Sequence, residues 1–136
     1  MRIRYALTLG EAESMVSAAQ RHARANNWPV TIAVVDDSGA PILVSRSDDA
    51  TPASVATAIE KARSAALTGL PTKALEALVE KRPAVATLGR VAVEGGLPIL
   101  YQSQRVGGVG VSGVRSDQDA LIAEAALQAL VLCAPP

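Results

Sequence analysis

A run of small residues late in the chain limits its folding more than any other feature. Residues 106–114 read Val-Gly-Gly-Val-Gly-Val-Ser-Gly-Val. As a strand, with period two, this run puts Gly107, Val109, Val111 and Gly113 on one face. Val106, Gly108, Gly110, Ser112 and Val114 take the other face, which is nearly bare in its middle. Glycine weakens a strand unless a backbone or a ligand must approach closely. Two occupants would meet that need: a tightly packed helix, or a ligand with Gly108, Gly110 and Ser112 as its floor. The glycine spacing matches neither a dinucleotide fingerprint nor a phosphate-binding loop.

Nearly half of the 136 residues are apolar, enough for one domain over residues 1–136 to bury a core without disulfides. The chain has no Phe, one Trp and two Tyr, so the core must be built from Ala, Val, Leu and Ile. Formal net charge is zero with no basic patch or tail, which argues against nucleic acid as the main partner. Cys133 is the single cysteine, which rules out an intramolecular disulfide and a cysteine zinc site and suits a reducing compartment. No signal-peptide pattern and no apolar run of bilayer length is present, so a cytoplasmic protein with no membrane partner is expected. The one histidine, His22, lies near the edge of a helical apolar face. With no second ligand nearby in sequence it reads as a boundary residue rather than a metal or haem ligand.

The pattern along the chain alternates helices with short strands. Thr8-Leu9-Gly10-Glu11 reads as a capping box opening a helix to about Asn26. Val30 to Val35 is a continuous apolar strand, which implies cover on both faces. Asp36 to Gly39 forms a turn and Pro41 to Ser45 the return strand. After a polar loop containing Arg46, Asp48 and Asp49, Thr51 caps a second helix running to Thr68, with Val55, Ile59, Ala62 and Ala66 as its buried stripe. A short helix follows from Pro71-Thr72 through Glu80, with Leu75, Leu78 and Val79 inward. Val91 to Val93 is a candidate edge strand. Pro98 to Ser103 and Val106 to Val114 form a hairpin around Gln104-Arg105. Ser116 to Asp119 reads as a second capping box, opening a final helix to about Leu132 with Leu121, Ala125, Leu127 and Val131 loosely periodic. Hairpins and a strand covered on both faces together predict an α+β sandwich: a five-stranded antiparallel sheet with helices on both sides.

These segments resemble one known family, the GlcG/HbpS-like or haem-degrading-domain proteins. The resemblance is carried by Leu7-Thr8-Leu9, Ile32 to Asp36 with Ser38-Gly39, Arg46 with Asp48, Lys61 to Ala65, Gly95 to Ile99, Gly107 to Gly113, and Gln118-Asp119, in the family's order and over nearly the whole chain. It implies a profilin-like three-layer fold and homo-oligomers. Some members bind haem; others sit in catabolic operons and act on small unsaturated carboxylate or enamine-type intermediates. This chain departs from the usual Arg-Met-Asp-Gly loop, reading Arg46-Ser47-Asp48-Asp49, and has Ala120 where an acid often follows Gln-Asp.

Three functions follow. The first is a small-metabolite enzyme of a catabolic pathway working by proton transfer or hydrolysis without a metal. Its pocket would lie between the second helix, the Glu94-Gly95-Gly96 loop and the bare glycine face. Lys61 or Arg63 would hold a substrate carboxylate. The N–H groups of Gly95 and Gly96 would stabilise developing negative charge, and Glu94 or Asp48 would move the proton. No nucleophile–base pair is visible, so covalent catalysis is not expected. This reading needs no cofactor. The second is a haem-binding or haem-handling module, supported by the resemblance and not by composition, since few aromatics and one histidine leave the axial ligand unassigned. The third is a non-catalytic accessory oligomer.

Overall fold

The computed structural model describes residues 1–88 and 91–133. Helix α1 (Leu9–Ala25) opens on the expected capping box: Thr8 Oγ1 accepts from the Glu11 N–H at 3.2 Å, and Glu11 accepts from the Thr8 N–H at 2.8 Å. Strands β1 (Thr31–Asp36) and β2 (Pro41–Arg46) follow. The Asp36 carboxylate fixes the turn between them by accepting from the Ser38 and Ala40 N–H groups, while Gly39 takes φ +85°. Helices α2 (Ala53–Thr68) and α3 (Thr72–Lys81) and a short 3₁₀ turn (Pro83–Thr87) come next. Strands β3 (Gly96–Tyr101) and β4 (Gln104–Ser112) and helix α4 (Ser116–Cys133) complete the chain.

The four strands form one antiparallel sheet in the order β2-β1-β4-β3. Helices α1 and α4 cover one face and α2 the other. The larger core lies under α1 and α4 and is built from Met15, Val16, Ile32, Val34, Ile99, Val109, Val111 and Ile122 with neighbouring alanines. Under α2 lies a second, all-small cluster of Ala33, Val35, Ala58, Ala62 and Ala66. Residues 31 to 35 of β1 are all buried, as a strand covered on both faces requires.

The bare glycine face is occupied by a helix. A Cβ on Gly108 would strike the Ala62 carbonyl, and one on Gly110 would strike the Ala58 carbonyl and stand 2.5 Å from the Ala62 nitrogen. Neither glycine has positive φ, so both are required for space alone. The backbone of α2 therefore rests directly on β4, which leaves no ligand floor at Gly108 and Gly110. Close approach also selects which face of α2 is buried. The small residues Ser54, Ala58, Ala62, Ala65 and Ala66 go inward, while Val55 and Ile59 stay half-exposed.

Several sequence expectations are corrected. Among the described residues the sheet has four strands, and the expected fifth is not found. Val91 to Val93 does not pair, because its neighbouring N–H groups go to side chains instead: Val91 donates to Ser64 Oγ at 3.0 Å and Glu94 to Glu76 Oε2 at 3.1 Å. The β3–β4 turn lies at Gln102-Ser103 rather than Gln104-Arg105, with φ of +46° and +65° at those two residues. Helix α2 starts without a side-chain cap from Thr51. Among the described side chains of α4 the buried apolar ones are Ile122, Ala123, Ala126 and Leu130, while Leu121 and Val131 face out. The α4 capping pair is one residue earlier than expected. Gln118 accepts from the Arg115 N–H at 3.3 Å, which leaves Asp119 to turn into the core.

Candidate functional site

Two places were separated from each other by the folding of this chain: the glycine loop before β3, and a cleft beside β2. β2 and β3 are opposite sheet edges, three strand spacings or roughly 14 Å apart. Asp48 follows β2 and Glu94 precedes β3, so these two carboxylates do not share a site.

At the glycine loop, Lys61 reaches from α2 to the end of β4. Its ammonium donates to the Val111 carbonyl and to Asp119 Oδ2, each at 2.9 Å, and the two side chains are 3% and 2% exposed. Asp119 also accepts from the Val114 N–H at 3.2 Å. Burial pushes the Asp119 carboxyl above its ordinary value, with the Lys61 partner pulling in the opposite direction. Gly95, at φ +127°, lies on this pair: a Cβ there would be 2.8 Å from Lys61 Nζ. The Gly96 N–H donates to Thr72 Oγ1 at 2.8 Å, and the Gly95 carbonyl accepts from Val111 at 3.0 Å.

This arrangement alters several expected roles. Lys61 is enclosed and satisfied by Asp119 rather than turned toward a substrate. The Gly96 amide is engaged by Thr72 rather than directed at a developing oxyanion. Arg63 is two residues from Lys61, roughly 200° around the helix. It pairs with Glu60 at 3.1 Å and packs over the β1–β2 turn at Gly39. The two cations therefore cannot clamp one carboxylate. Glu94 is 17% exposed and lies 3.6 Å from Lys73. Ser112 is half-buried at the end of β4, paired in register with Thr31.

The cleft lies between the C-terminal half of α1 and the end of β2 and has a volume of about 590 Å³. That falls in the range of small-molecule sites. Trp28, Pro29, Val30 and Ile32 give it an apolar wall; Gln20, Arg24, Ser45, Arg46, Asp48 and Asp49 supply polar groups. The chain's only tryptophan thus faces the cleft. His22 packs against Trp28, ring centroids 6.1 Å apart, and does not itself line the cleft. Arg46 Nε and Nη2 both donate to the Ala50 carbonyl, at 3.1 and 3.0 Å.

The sequence named Asp48 as a candidate acid or base but did not group it with Trp28, Arg24 and Arg46, which line the same cleft. The available signal was one large aromatic in a chain nearly devoid of them, at the end of a helix carrying Arg24. Among the described residues, no group of three or more His, Cys, Asp or Glu is placed to hold a metal ion. No helix among them is long and apolar enough to cross a membrane.

Comparison with known proteins places this geometry in context. Residues 7–128 match the family model described as haem degrading protein HbpS-like. Protein GlcG of Escherichia coli K12 is 40% identical over 114 residues, covering 82% of this chain and 85% of that protein. A double mutant of Streptomyces reticuli HbpS superposes with a TM-score of 0.89 at 30% identity, covering 94% of this chain and 89% of that one. The crystal structure of a PduOC:haem complex superposes with a TM-score of 0.84 at 27% identity, covering 92% and 95%. With a family model spanning most of its length and a 40% identical relative behind it, the chain belongs to the HbpS-like haem-degrading protein family.

Proposed function

We propose that this protein is a haem-handling module that takes the porphyrin into the cleft between α1 and β2. The observation that carries the reading is the placement of Trp28, the one tryptophan of the chain, on the wall of a cleft of about 590 Å³ whose lining includes Arg24 and Arg46. A flat macrocycle suits the Trp28 wall, and guanidinium groups suit its carboxylates. A structural relative solved as a haem complex supports the same ligand class.

The lining fits the organic part of haem. It contains no His, Cys, Met or Tyr, the usual axial ligands, and His22 lies against Trp28 outside the lining. Trp28, Arg24 and Arg46 would hold the group, which when bound supplies a redox-active iron. Held through its organic part, haem would exchange readily, as suits carriage or delivery.

Hemin titration followed at the Soret band tests this. The wild-type chain should give a saturable shift. Trp28→Ala should weaken binding by roughly tenfold or more, while His22→Ala should change it much less. A featureless, non-saturating response overturns the proposal. Loss of binding in His22→Ala with Trp28→Ala unaffected overturns the placement at the cleft.

The metabolite-enzyme reading keeps one supporting observation, the half-buried Glu94 carboxylate beside Lys73. The cation expected there for a substrate, Lys61, is committed to Asp119.

A further inference from the structure

Arg46 lines the cleft while both of its hydrogen bonds converge on a single neutral acceptor, the carbonyl of Ala50. A guanidinium offers five N–H donors in a rigid fork matched to the two oxygens of a carboxylate. Among the described residues no carboxylate lies within ion-pair distance of Arg46, although Asp48 and Asp49 stand on the loop it braces. Arg24 lines the same cleft, also without a carboxylate partner. A carboxylate is a stronger acceptor for a guanidinium than a peptide carbonyl, by roughly a factor of two in hydrogen-bond strength.

We infer that Arg46 selects carboxylate-bearing ligands for the cleft by exchanging the Ala50 carbonyl for a ligand carboxylate. The inference rests on the cleft being the ligand site and names the chemical group read there. The Ala50 contact keeps the guanidinium ordered before binding. The Ser47–Ala50 turn stays closed by its own backbone, with Ser47 N–H donating to the Val30 carbonyl and Ala50 N–H to the Ser47 carbonyl, so only the guanidinium moves. Lysine in place of Arg46 retains the charge but not the fork, so the two substitutions separate charge from geometry.

Trp28 fluorescence reports on the cleft because it is the chain's only tryptophan. Protoporphyrin IX and its dimethyl ester are titrated in one detergent buffer, with succinate as a small dicarboxylate. Free protoporphyrin should bind roughly tenfold or more tightly than the ester, and Arg46→Lys and Arg46→Gln should each abolish that preference. Asp48→Asn should tighten binding of the free acid. Equal affinity for acid and ester, or an acid preference retained in both Arg46 variants, overturns the inference and leaves the haem reading standing. If neither porphyrin quenches but succinate does so in an Arg46-dependent way, the haem reading fails and carboxylate selection by Arg46 is upheld. If no carboxylate quenches, the inference is overturned as well.

Discussion

Replacing Gly110 with alanine should destabilise the protein by about 3 kcal/mol or more, although it adds one methyl group to a residue in ordinary strand conformation. In an open strand the same change would be mildly favourable, since alanine has less chain entropy to lose. Here the new Cβ meets the α2 backbone at Ala58 and Ala62. No side chain can rotate out of the way, so relief requires moving the whole helix off β4 and opening the small-residue core beneath it. Gly10→Ala is the matched control. It lies in the first turn of α1 with nothing within 4 Å of its added Cβ. It should be neutral or stabilise by up to about 1 kcal/mol. Urea unfolding of the two variants should move the midpoint in opposite directions or leave only Gly110→Ala displaced. An unchanged midpoint for Gly110→Ala would mean that α2 does not sit on β4 as described.

The Lys61–Asp119 pair carries the second large effect. Both side chains are almost wholly buried, one on α2 and the other on α4, and they meet through the sheet beside Gly95. Removing one partner leaves the other charge enclosed. Asp119→Leu or Lys61→Met should therefore cost about 3–5 kcal/mol. Changing both together to apolar residues of similar size, Lys61→Met with Asp119→Leu, should recover most of that loss. Thermal unfolding of the four proteins forms a double-mutant cycle, and additive single losses would show that the two groups do not interact. The pH dependence has a definite sign. Asp119 sits above its ordinary value of 3.8, so its contribution to stability is fully present below 3.8 and is lost as pH rises through the folded value. Asp36 acts in the opposite sense. The Ser38 hydroxyl holds it below 3.8, so its stabilisation is present above 3.8 and is lost as pH falls through its folded value.

Local signals in this sequence read well wherever one segment determines its own structure. The Thr8–Glu11 capping box, the Asp36–Gly39 turn and the doubly covered β1 need only near neighbours or a continuous apolar run. Choices made between segments were less visible. Hydrophobicity ranked Val55 and Ile59 as the inward side of α2, but the bare face of β4 favours alanine, so contact distance outweighed side-chain size. Asp119 read as part of a capping box because its buried partner is 58 positions away in sequence. Three of the segments that carried the family resemblance meet at one buried contact, through Lys61 on α2, Gly95 and Gly96 before β3, and Asp119 on α4. The cleft was illegible for a similar reason. Trp28 and Arg24 come from the end of α1, while Arg46, Asp48 and Asp49 follow β2, and no spacing rule brings the two groups together.

Ligand is expected to bind at the Trp28 cleft and not at the glycine loop. Amide chemical-shift mapping of the isotope-labelled protein during titration with zinc protoporphyrin, a diamagnetic analogue of haem, tests it most directly. Shifts should concentrate at Gln20, Ala23, Arg24, Trp28 and residues 45–50, with Glu94, Gly95 and Gly96 unmoved. Shifts centred on Glu94 to Gly96 and on α3, with the Trp28 region unchanged, would contradict it.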